Sequence, residues 1–324
     1  MISRSEFLKK QIVVINCAEG ERLSVKNDNL IVKDAQGSLK HQSTCWKIAM
    51  LFIVGPATVT SGVIERAHRF GFPIFLMKQT FRTYEVIGFG VDGNTRLKRR
   101  QYEYDGIEVA KHLVKNKIIN QRSVLMRQRI RGDLVSDAIS SLASLAAKVD
   151  TAESVRTLMG IEGAASRAYF KNHFNNCEWK NRCPRAKSDY INATLDYGYS
   201  LLFNFVEAIT LYFGFDPYVG VLHREFYMRK SLVCDLVEPL RPIIDVCVRN
   251  AISRKQFKES DFDLRNGSYS LKNWNESKRY CAVIMGAILV YRSAIFDYIQ
   301  GYYRCFLKGA SLREYPIFRI GDNT

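Results

Sequence analysis

The sequence predicts an α+β protein of two domains, a small, mostly-β, sandwich-like domain at the N-terminus and a larger all-α domain after it. Short β-branched segments separated by Gly, Asn and Asp turns fill residues 1–93. From residue 94 almost to the end, apolar residues recur instead at helical spacing. The Gly/Asn turn at 91–95 separates the two patterns, so we place the domain boundary there.

The same patterns predict the individual elements. In the first domain they indicate, in chain order, strands at 11–17, 22–26, 30–34 and 46–54, a helix at 59–70, and strands at 73–77 and 83–90. The sequence Lys26-Asn-Asp-Asn29 predicts a hairpin turn. In the second domain, helices are predicted over 100–130, 134–149, 151–174, 190–213, 231–245 and 272–306.

The charge balance indicates a polyanionic partner. Lys and Arg number 48 against 32 Asp and Glu, a formal net charge of +16, which favours nucleic acid or an acidic membrane surface. A hydrophobic content of 47% excludes a disordered polyelectrolyte. The apolar runs are too short to span a bilayer and the N-terminus lacks an apolar signal core, so we expect a soluble cytoplasmic protein. Eight cysteines without a CxxC pair are expected to be free thiols.

Half of the net charge lies between Arg96 and Arg131. This segment holds 11 basic residues against three acidic ones. A solvated helix face usually alternates in sign, whereas this segment does not, so we predict that it binds phosphate. The residues expected to contact a nucleic acid here are Arg96, Lys98, Arg99, Arg100, Arg122, Arg127, Arg129 and Arg131.

A histidine and two acidic residues lie near a predicted reversal of the chain. His223 follows a turn rich in Gly and Pro, and Ser231 is placed to cap a helix that buries one apolar face. Asp235 and Glu238 then lie at i and i+3, and Pro239 should kink the helix beside them. The pattern is typical of a divalent-metal site, with a surface acidic pair on an amphipathic helix as the alternative.

Basic residues near this stretch are further candidates for holding phosphate, namely Arg224, Arg229, Lys230 and Arg241. Arg241 also lies four residues before Asp245, so a simple ion pair between those two side chains is the alternative.

Glu162 lies between two glycines in a helical pattern of small and apolar residues. Each glycine costs roughly 1 kcal/mol against alanine inside a helix, so Gly160 and Gly163 require an explanation. Either another backbone or a ligand approaches Glu162 closely, or two helices pack tightly with Glu162 at their rim. The sequence leaves both explanations open.

Four ordered motifs carry a resemblance to one known family. They are Gly160-Ile-Glu-Gly-Ala-Ala165, Asp189-Tyr-Ile-Asn-Ala-Thr-Leu-Asp-Tyr-Gly-Tyr199, Gly214-Phe-Asp-Pro-Tyr-Val-Gly-Val-Leu-His223 and Ser231-Leu-Val-Cys-Asp-Leu-Val-Glu-Pro-Leu-Arg-Pro242. In order and spacing they resemble the CRISPR-associated spacer-acquisition integrases, the Cas-one endonuclease family. The resemblance implies a metal-dependent DNA endonuclease-integrase that inserts prespacer DNA into the repeat array by attack of a 3′-OH on a phosphodiester.

The resemblance also implies roles for individual residues. Glu162, His223 and Glu238 match the family's metal ligands, and Asp235 matches a further acidic residue. Two carboxylates and one imidazole suit Mn²⁺ and also accept Mg²⁺. Asp235 is expected to orient a ligand or a basic partner, or to supply a second metal position.

The expected partners and domain roles follow from the same resemblance. The family forms homodimers, two of which flank a dimer of the small Cas-two protein and hold a prespacer duplex. Residues 1–93 then form a dimerisation scaffold, and residues 94–324 form the catalytic, DNA-binding domain. Asn192 is expected to hydrogen-bond near the metal, and Tyr199 to lie in the core. Two alternatives remain, a structure-selective nuclease for branched DNA and a non-catalytic basic DNA-binding scaffold.

Overall fold

A computed structural model describes residues 2–88, 94–128, 132–175, 177, 179–223 and 227–321. The chain divides into two compact units. The first comprises Met1–Thr95 with Glu207–Phe215, and the second comprises Arg96–Val206 with Asp216–Thr324. Most of the turn at 91–95, where we placed the domain boundary, lies outside the described residues. The α+β fold class is confirmed.

The N-terminal part of the chain is built from short strands with two helices. In chain order its elements are α1 Arg4–Lys9, β1 Gln11–Asn16, β2 Arg22–Lys26, β3 Asn29–Lys33, β4 Leu39–Thr44, β5 Ile48–Val54, β6 Thr58–Val59, α2 Ser61–Phe70, β7 Ile74–Met77 and β8 Thr83–Ile87. One sheet has the strand order β1-β5-β7-β8, and its first three strands are parallel. The other has the order β4-β3-β2-β6.

The packing of these sheets follows from the sequence. β5 is hydrophobic and buried at every position, as a central parallel strand covered on both faces requires. Between β2 and β3, Asn27 and Asp28 have φ values of 49° and 55°, the left-handed conformation of the predicted hairpin turn. β4 was not predicted, because Leu39-Lys-His-Gln-Ser-Thr44 lacks a regular alternation of apolar and polar residues.

The remainder of the chain is mainly helical. Its elements are α3 Thr95–Glu103, α4 Glu108–Met126, α5 Asp133–Lys148, α6 Val155–His173, α7 Tyr190–Tyr212, α8 Ser231–Val237, α9 Pro242–Ser253, β9 Phe262–Arg265, β10 Ser268–Leu271, α10 Trp274–Val290 and α11 Arg292–Lys308. β9 and β10 form an antiparallel hairpin, which is an addition to the all-α domain that we expected.

Some element boundaries differ from expectation for local reasons. The helix expected over 100–130 is two helices, because the Tyr104 hydroxyl accepts from the free N–H of Val109 and starts α4 anew. The helix expected over 272–306 begins at Trp274 and bends by 59° between α10 and α11. Ser231 is not an N-cap, because it is the first residue of α8 and its hydroxyl donates to the Arg229 carbonyl.

In the part of the chain that the structure describes, no single helix has both the length and the hydropathy of a membrane span. Only α10 and α11 together meet that test, as a bent pair.

Replacing Ile53 tests the core of the first unit. Ile53 of β5 is buried in that core, so Ile53→Ala should lower the free energy of unfolding by about 2–5 kcal/mol through loss of contacts and a residual cavity. Ile31 of β3 is only partly buried, so Ile31→Ala should lower the free energy of unfolding by a smaller amount. Urea denaturation followed by circular dichroism measures both, and equal losses would contradict this placement of the core.

Candidate functional site

An ammonium group joins two of the residues predicted to bind metal. Lys117 lies on a buried face of α4, and its Nζ donates to Oε2 of Glu238 at 2.6 Å and to Oε1 of Glu162 on α6. Glu162 also accepts from the Ser166 hydroxyl at 2.9 Å, one helical turn further along. Lys117 is only 6% exposed, so water screens these contacts little.

A break in the helix positions Glu238. One 3₁₀ turn over Glu238–Leu240 separates α8 from α9, so the regular α-helix is interrupted where the kink at Pro239 was expected. The side-chain amide of Asn120 donates to the Pro239 carbonyl at 2.9 Å and ties this turn to α4. Nε of Arg241 lies 3.0 Å from Oε1, the second oxygen of Glu238.

The charges around Glu238 keep it ionised. Burial raises its pKa, but Arg241 and Lys117 outweigh burial and, with a contribution from His223, bring the pKa of Glu238 down to about 2. Burial lowers the pKa of Lys117, and the two carboxylates reverse that effect, so the pKa of Lys117 is raised. Lys117 and Glu238 are therefore both charged at neutral pH.

Asp235 holds the loop that carries His223. Nδ1 of His223 lies 2.6 Å from Oδ1 of Asp235, and the backbone N–H of His223 donates to the same oxygen at 3.0 Å. The backbone N–H groups of Val221 and Leu222 donate to Oδ2 at 2.6 and 2.9 Å. These four contacts occupy a fully buried carboxylate, so the structure does not offer Asp235 as a second metal position.

Gly220 lets this loop close on the carboxylate. A Cβ at Gly220 would lie 2.6 Å from Oδ2 of Asp235 and 2.8 Å from both the carbonyl oxygen of His223 and the backbone of Ser231. Any larger residue would have to displace at least one of these groups. The backbone N–H donors that follow Gly220 therefore reach Asp235 only because this position has no side chain.

The structure brings together two of the three predicted metal ligands. Glu162 and Glu238 contact one nitrogen atom, whereas His223 contacts Asp235. Within the described ranges, no group of three or more His, Cys, Asp or Glu side chains is close enough to hold a metal ion. The predicted three-residue cluster is thus not assembled. The ammonium of Lys117 lies between the two carboxylates, and the His223 ring contacts Asp235 instead.

A cavity of about 660 Å³ opens beside these carboxylates. Besides Glu162 and Glu238, it is lined by cations from several segments, namely Lys117, Arg167, Lys171, Lys180, Arg182 and Arg241. Phe170, Pro184 and Tyr199 supply apolar surface. Cations outnumber acids in this lining, and such a cavity suits a phosphate backbone.

Two residues of the second motif organise one wall of the cavity. Tyr199 is buried as expected but also lines the cavity, and the guanidiniums of Arg182 and Arg241 approach its ring centroid to 5.4 and 4.6 Å. The Asn192 side chain accepts from Arg182 at 2.8 Å. Asn192 therefore orients a cation of the cavity, and its other hydrogen-bond partners among the described residues are Asn181, Cys183 and Asp189 rather than the predicted metal ligands.

The predicted DNA contacts are mostly elsewhere on the chain. Among those that the structure describes, only Arg241 lines the cavity. Arg96, Arg99, Arg100 and Arg127 are exposed, Lys98, Arg122, Arg229 and Lys230 are partly buried, and Arg129, Arg131 and Arg224 lie outside the described residues. Within the same basic segment, Lys115 pairs with Asp150 at 2.5 Å and Lys111 pairs with Glu108 at 2.9 Å, so part of its charge is compensated inside the chain.

The sequence contained signals for the cavity residues that we missed. Arg167 and Lys171 lie four residues apart on α6, the helix that carries Glu162, so the two cations share one face of that helix. Lys117 lies in the apolar stripe of α4, one turn after Leu113. A lysine within a buried stripe requires a carboxylate partner, but spacing along one helix does not show which one.

The glycines beside Glu162 are not explained by tight helix packing. A Cβ at Gly160 would meet no described atom within 4 Å, and one at Gly163 would meet only the Arg167 guanidinium at 3.7 Å. The packing explanation is therefore wrong. The space at both glycine positions is open, which leaves the approach of a ligand as the remaining explanation.

Fold and site together define a class of protein, an α+β protein with two carboxylates in a cation-lined cavity of its helical unit. The chain belongs to the CRISPR associated protein Cas1 family, whose model matches residues 14–282. Over 269 residues it is 30% identical to a protein of Rhodospirillum rubrum named CRISPR-associated endonuclease Cas1 2, which corresponds to 77% of this chain and 78% of that relative.

Two solved structures share the fold. One is a chain of a Cas6-RT-Cas1–Cas2 complex, with a TM-score of 0.81 and 20% identity over 96% of this chain and 36% of that chain. The other is a casposase bound to an integration product, with a TM-score of 0.77 and 20% identity over 96% of both chains. At this level of identity the two similarities show the fold alone.

Gly220→Ala tests the closure of the His223 loop. The added methyl group should lower the free energy of unfolding by about 1–3 kcal/mol, because it overpacks the contact with Asp235. Gly286 of α10 has open space around it, and Gly286→Ala should be neutral or stabilising by up to about 1 kcal/mol. Thermal unfolding measures both. Equal effects would show that Gly220 is not confined.

The contact between Asp245 and the cavity residue Tyr199 can be tested through the pH dependence of stability. Asp245 accepts from the Tyr199 hydroxyl, and burial raises its pKa from 3.8 to about 6. The folded protein therefore holds this proton more tightly than the unfolded chain, and its stability falls as pH rises from about 4 to about 6. Asp245→Asn should abolish this pH-dependent decrease in the free energy of unfolding, which amounts to at most about 3 kcal/mol in the wild type.

The melting temperature of Asp245→Asn relative to the wild type should therefore be higher at about pH 7.5 than at about pH 4.5. Differential scanning fluorimetry at both pH values measures this difference. The same relative melting temperature at both would contradict a proton held by Asp245.

Proposed function

We propose that this protein is a divalent-metal-dependent DNA endonuclease and integrase of CRISPR adaptation. It inserts prespacer DNA into the repeat array by directing a 3′-hydroxyl onto a phosphodiester. Membership of the Cas1 family supports this proposal, as does the name of the Rhodospirillum rubrum relative, which calls that protein an endonuclease. The casposase that shares the fold is bound to an integration product.

One structural observation carries the proposal. Glu162 and Glu238 come from distant parts of the chain, yet their carboxylates contact a single cation at the edge of a cation-lined cavity. The ammonium of Lys117 lies between the two carboxylates and supplies positive charge to both. Cleavage or transfer of a phosphodiester benefits from a cation held by carboxylates, because the attacking and the leaving oxygen atoms both carry negative charge.

Two carboxylates and one imidazole are donor types that suit Mg²⁺ or Mn²⁺, and Glu162, Glu238 and His223 would hold the ion once His223 joins the two carboxylates that the structure already brings together. Oε2 of Glu162 has no partner among the described residues, and Glu238 is ionised at neutral pH. Because Nδ1 of His223 lies 2.6 Å from Oδ1 of Asp235, Nε2 is the ring nitrogen that would ligate a metal. Such an ion would polarise the phosphodiester and lower the pKa of the attacking hydroxyl.

The chain's own residues prepare this chemistry. Asp235 fixes the tautomer and the orientation of the His223 ring, which is the usual role of a carboxylate behind a ligating histidine. Arg241 holds one oxygen of Glu238 and stays beside the cavity to contact a phosphate. We assign Asp235 and Arg241 as positioning residues.

DNA is the polyanion that best fits the cavity. We propose that Arg167, Lys171, Lys180 and Arg182, together with Arg241, contact the backbone next to the reacting phosphate. Duplex further from the site would lie against exposed residues of the predicted set, such as Arg96 and Arg99. These contacts neutralise phosphates without reading sequence, so binding should weaken steeply with salt.

Partners beyond DNA rest on the comparisons. One neighbour in fold is part of a Cas6-RT-Cas1–Cas2 complex, and we propose that this chain likewise forms a homodimer that assembles with a Cas2 dimer. The assembly would hold a prespacer duplex and act on the repeat, in the cytoplasm. Residues 1–93 would supply the dimerisation scaffold, and residues 94–324 the catalytic and DNA-binding part.

Substitution of the proposed ligands tests the activity. Glu162→Gln, His223→Ala and Glu238→Gln should each reduce strand transfer of a prespacer into a repeat-containing plasmid by more than about 100-fold, because loss of a residue that merely supports a ligand costs about 10–100-fold. Asp235→Asn should fall within that smaller range. Gel-based integration assays with Mn²⁺ measure all four variants.

Glu153→Gln is the matched control, because Glu153 is an exposed carboxylate shortly before α6. Near-normal strand transfer by any ligand variant would remove that residue from the site. A wild type that cleaves forked DNA but does not join prespacer ends would favour a structure-selective nuclease instead. If Mn²⁺ does not change the melting temperature of the wild-type protein, the result would favour the interpretation as a non-catalytic scaffold.

A further inference from the structure

We infer that Lys117 is a displaceable internal cation, which holds Glu162 and Glu238 in place until a divalent metal ion binds and then moves into the cavity to contact DNA phosphate. This inference rests on the proposed function, because it assigns the metal to the same two carboxylates. It names a residue that none of the four sequence motifs contains.

The hydrogen bonds of the two carboxylates show why Lys117 must move. Both oxygens of Glu238 are occupied, Oε2 by Lys117 at 2.6 Å and Oε1 by Arg241 at 3.0 Å. Each oxygen keeps a second lone pair, so a metal ion that binds Glu238 and Glu162 together is excluded by position, because the space between the two carboxylates already holds a cation. Lys117 is the one that contacts both carboxylates, so it occupies the position that a shared metal ion would take.

The charge balance supports the exchange. Two carboxylates face two cations, Lys117 and Arg241, so this group is neutral without a metal. A divalent ion that joined without displacement would leave two excess positive charges around a 6% exposed ammonium. Lys117 also lines the cavity of about 660 Å³, so its ammonium has space to turn toward a phosphate that enters there.

A permanent structural lysine would behave differently. It would stay on the carboxylates in every state, and the metal would bind through other oxygens without competition. The two roles therefore differ in the metal affinity of a variant that lacks the ammonium.

A thermal-shift titration with MnCl₂ separates the two roles. Lys117→Met should melt at a lower temperature than the wild type in EDTA, because two carboxylates lose their shared counter-ion. The Mn²⁺ concentration that gives half of the stabilisation should fall by about tenfold or more, because the metal no longer competes with an ammonium bound in most molecules. Lys115→Met is the matched control, because Lys115 lies on the same helix and forms an ion pair with Asp150, away from Glu162 and Glu238.

Amine acetylation followed by mass spectrometry tests the displacement in the wild-type protein. Without metal, Lys117 should react slowly, because it is buried and paired. Saturating Mn²⁺ should raise its reaction rate severalfold, while the rate at the partly exposed Lys115 stays constant.

Each outcome decides the inference. An unchanged half-saturation concentration in Lys117→Met, or an unchanged acetylation rate of Lys117 on adding Mn²⁺, would overturn it and leave the proposed function standing. Loss of Mn²⁺ stabilisation in Lys117→Met would also overturn it, because the lysine would then support the metal. A wild type that Mn²⁺ does not stabilise would overturn the proposed function as well, and that failure is visible before any variant is made.

Discussion

The buried ion contacts of Lys117 are the interaction on which the site depends. An ammonium that is 6% exposed is costly to bury unless carboxylates surround it, and Glu162 and Glu238 meet that need from two other segments. Removing one member of such a cluster leaves an uncompensated buried charge, at a cost of about 3–5 kcal/mol. The requirement for neutrality therefore holds α4, α6 and the turn after α8 together at the point where the chemistry is proposed.

Backbone features position the other predicted site residues. The 3₁₀ turn at Pro239 presents Glu238 to α4, and Asn120 fixes that turn through its carbonyl. The missing side chain at Gly220 lets three consecutive N–H groups reach Asp235, which in turn orients His223. Each feature has a local signal in the sequence, but only the structure shows which side chains the feature positions.

Much of the fold could be predicted because its signals are local. The Asn27-Asp28 turn and the kink at Pro239 depend on the conformations that those residues allow. Asn266-Gly267 is an equally strong hairpin signal, with φ values of 50° and 75°, and was missed because the surrounding pattern was assigned to helices.

The ion-pair partners of the buried Lys117 could not be predicted in this way. They depend on how α4 packs against other segments and not on residue spacing along one helix. For that reason the sequence indicated Glu162 and Glu238 through the family motifs, but not the cation between them.

The most direct test of the proposed metal site is the anomalous X-ray signal of a crystal soaked in Mn²⁺. A single manganese peak within ligand distance of Glu162, Glu238 and Nε2 of His223 is the predicted result, and a manganese bound elsewhere, with these three side chains unchanged, would contradict it.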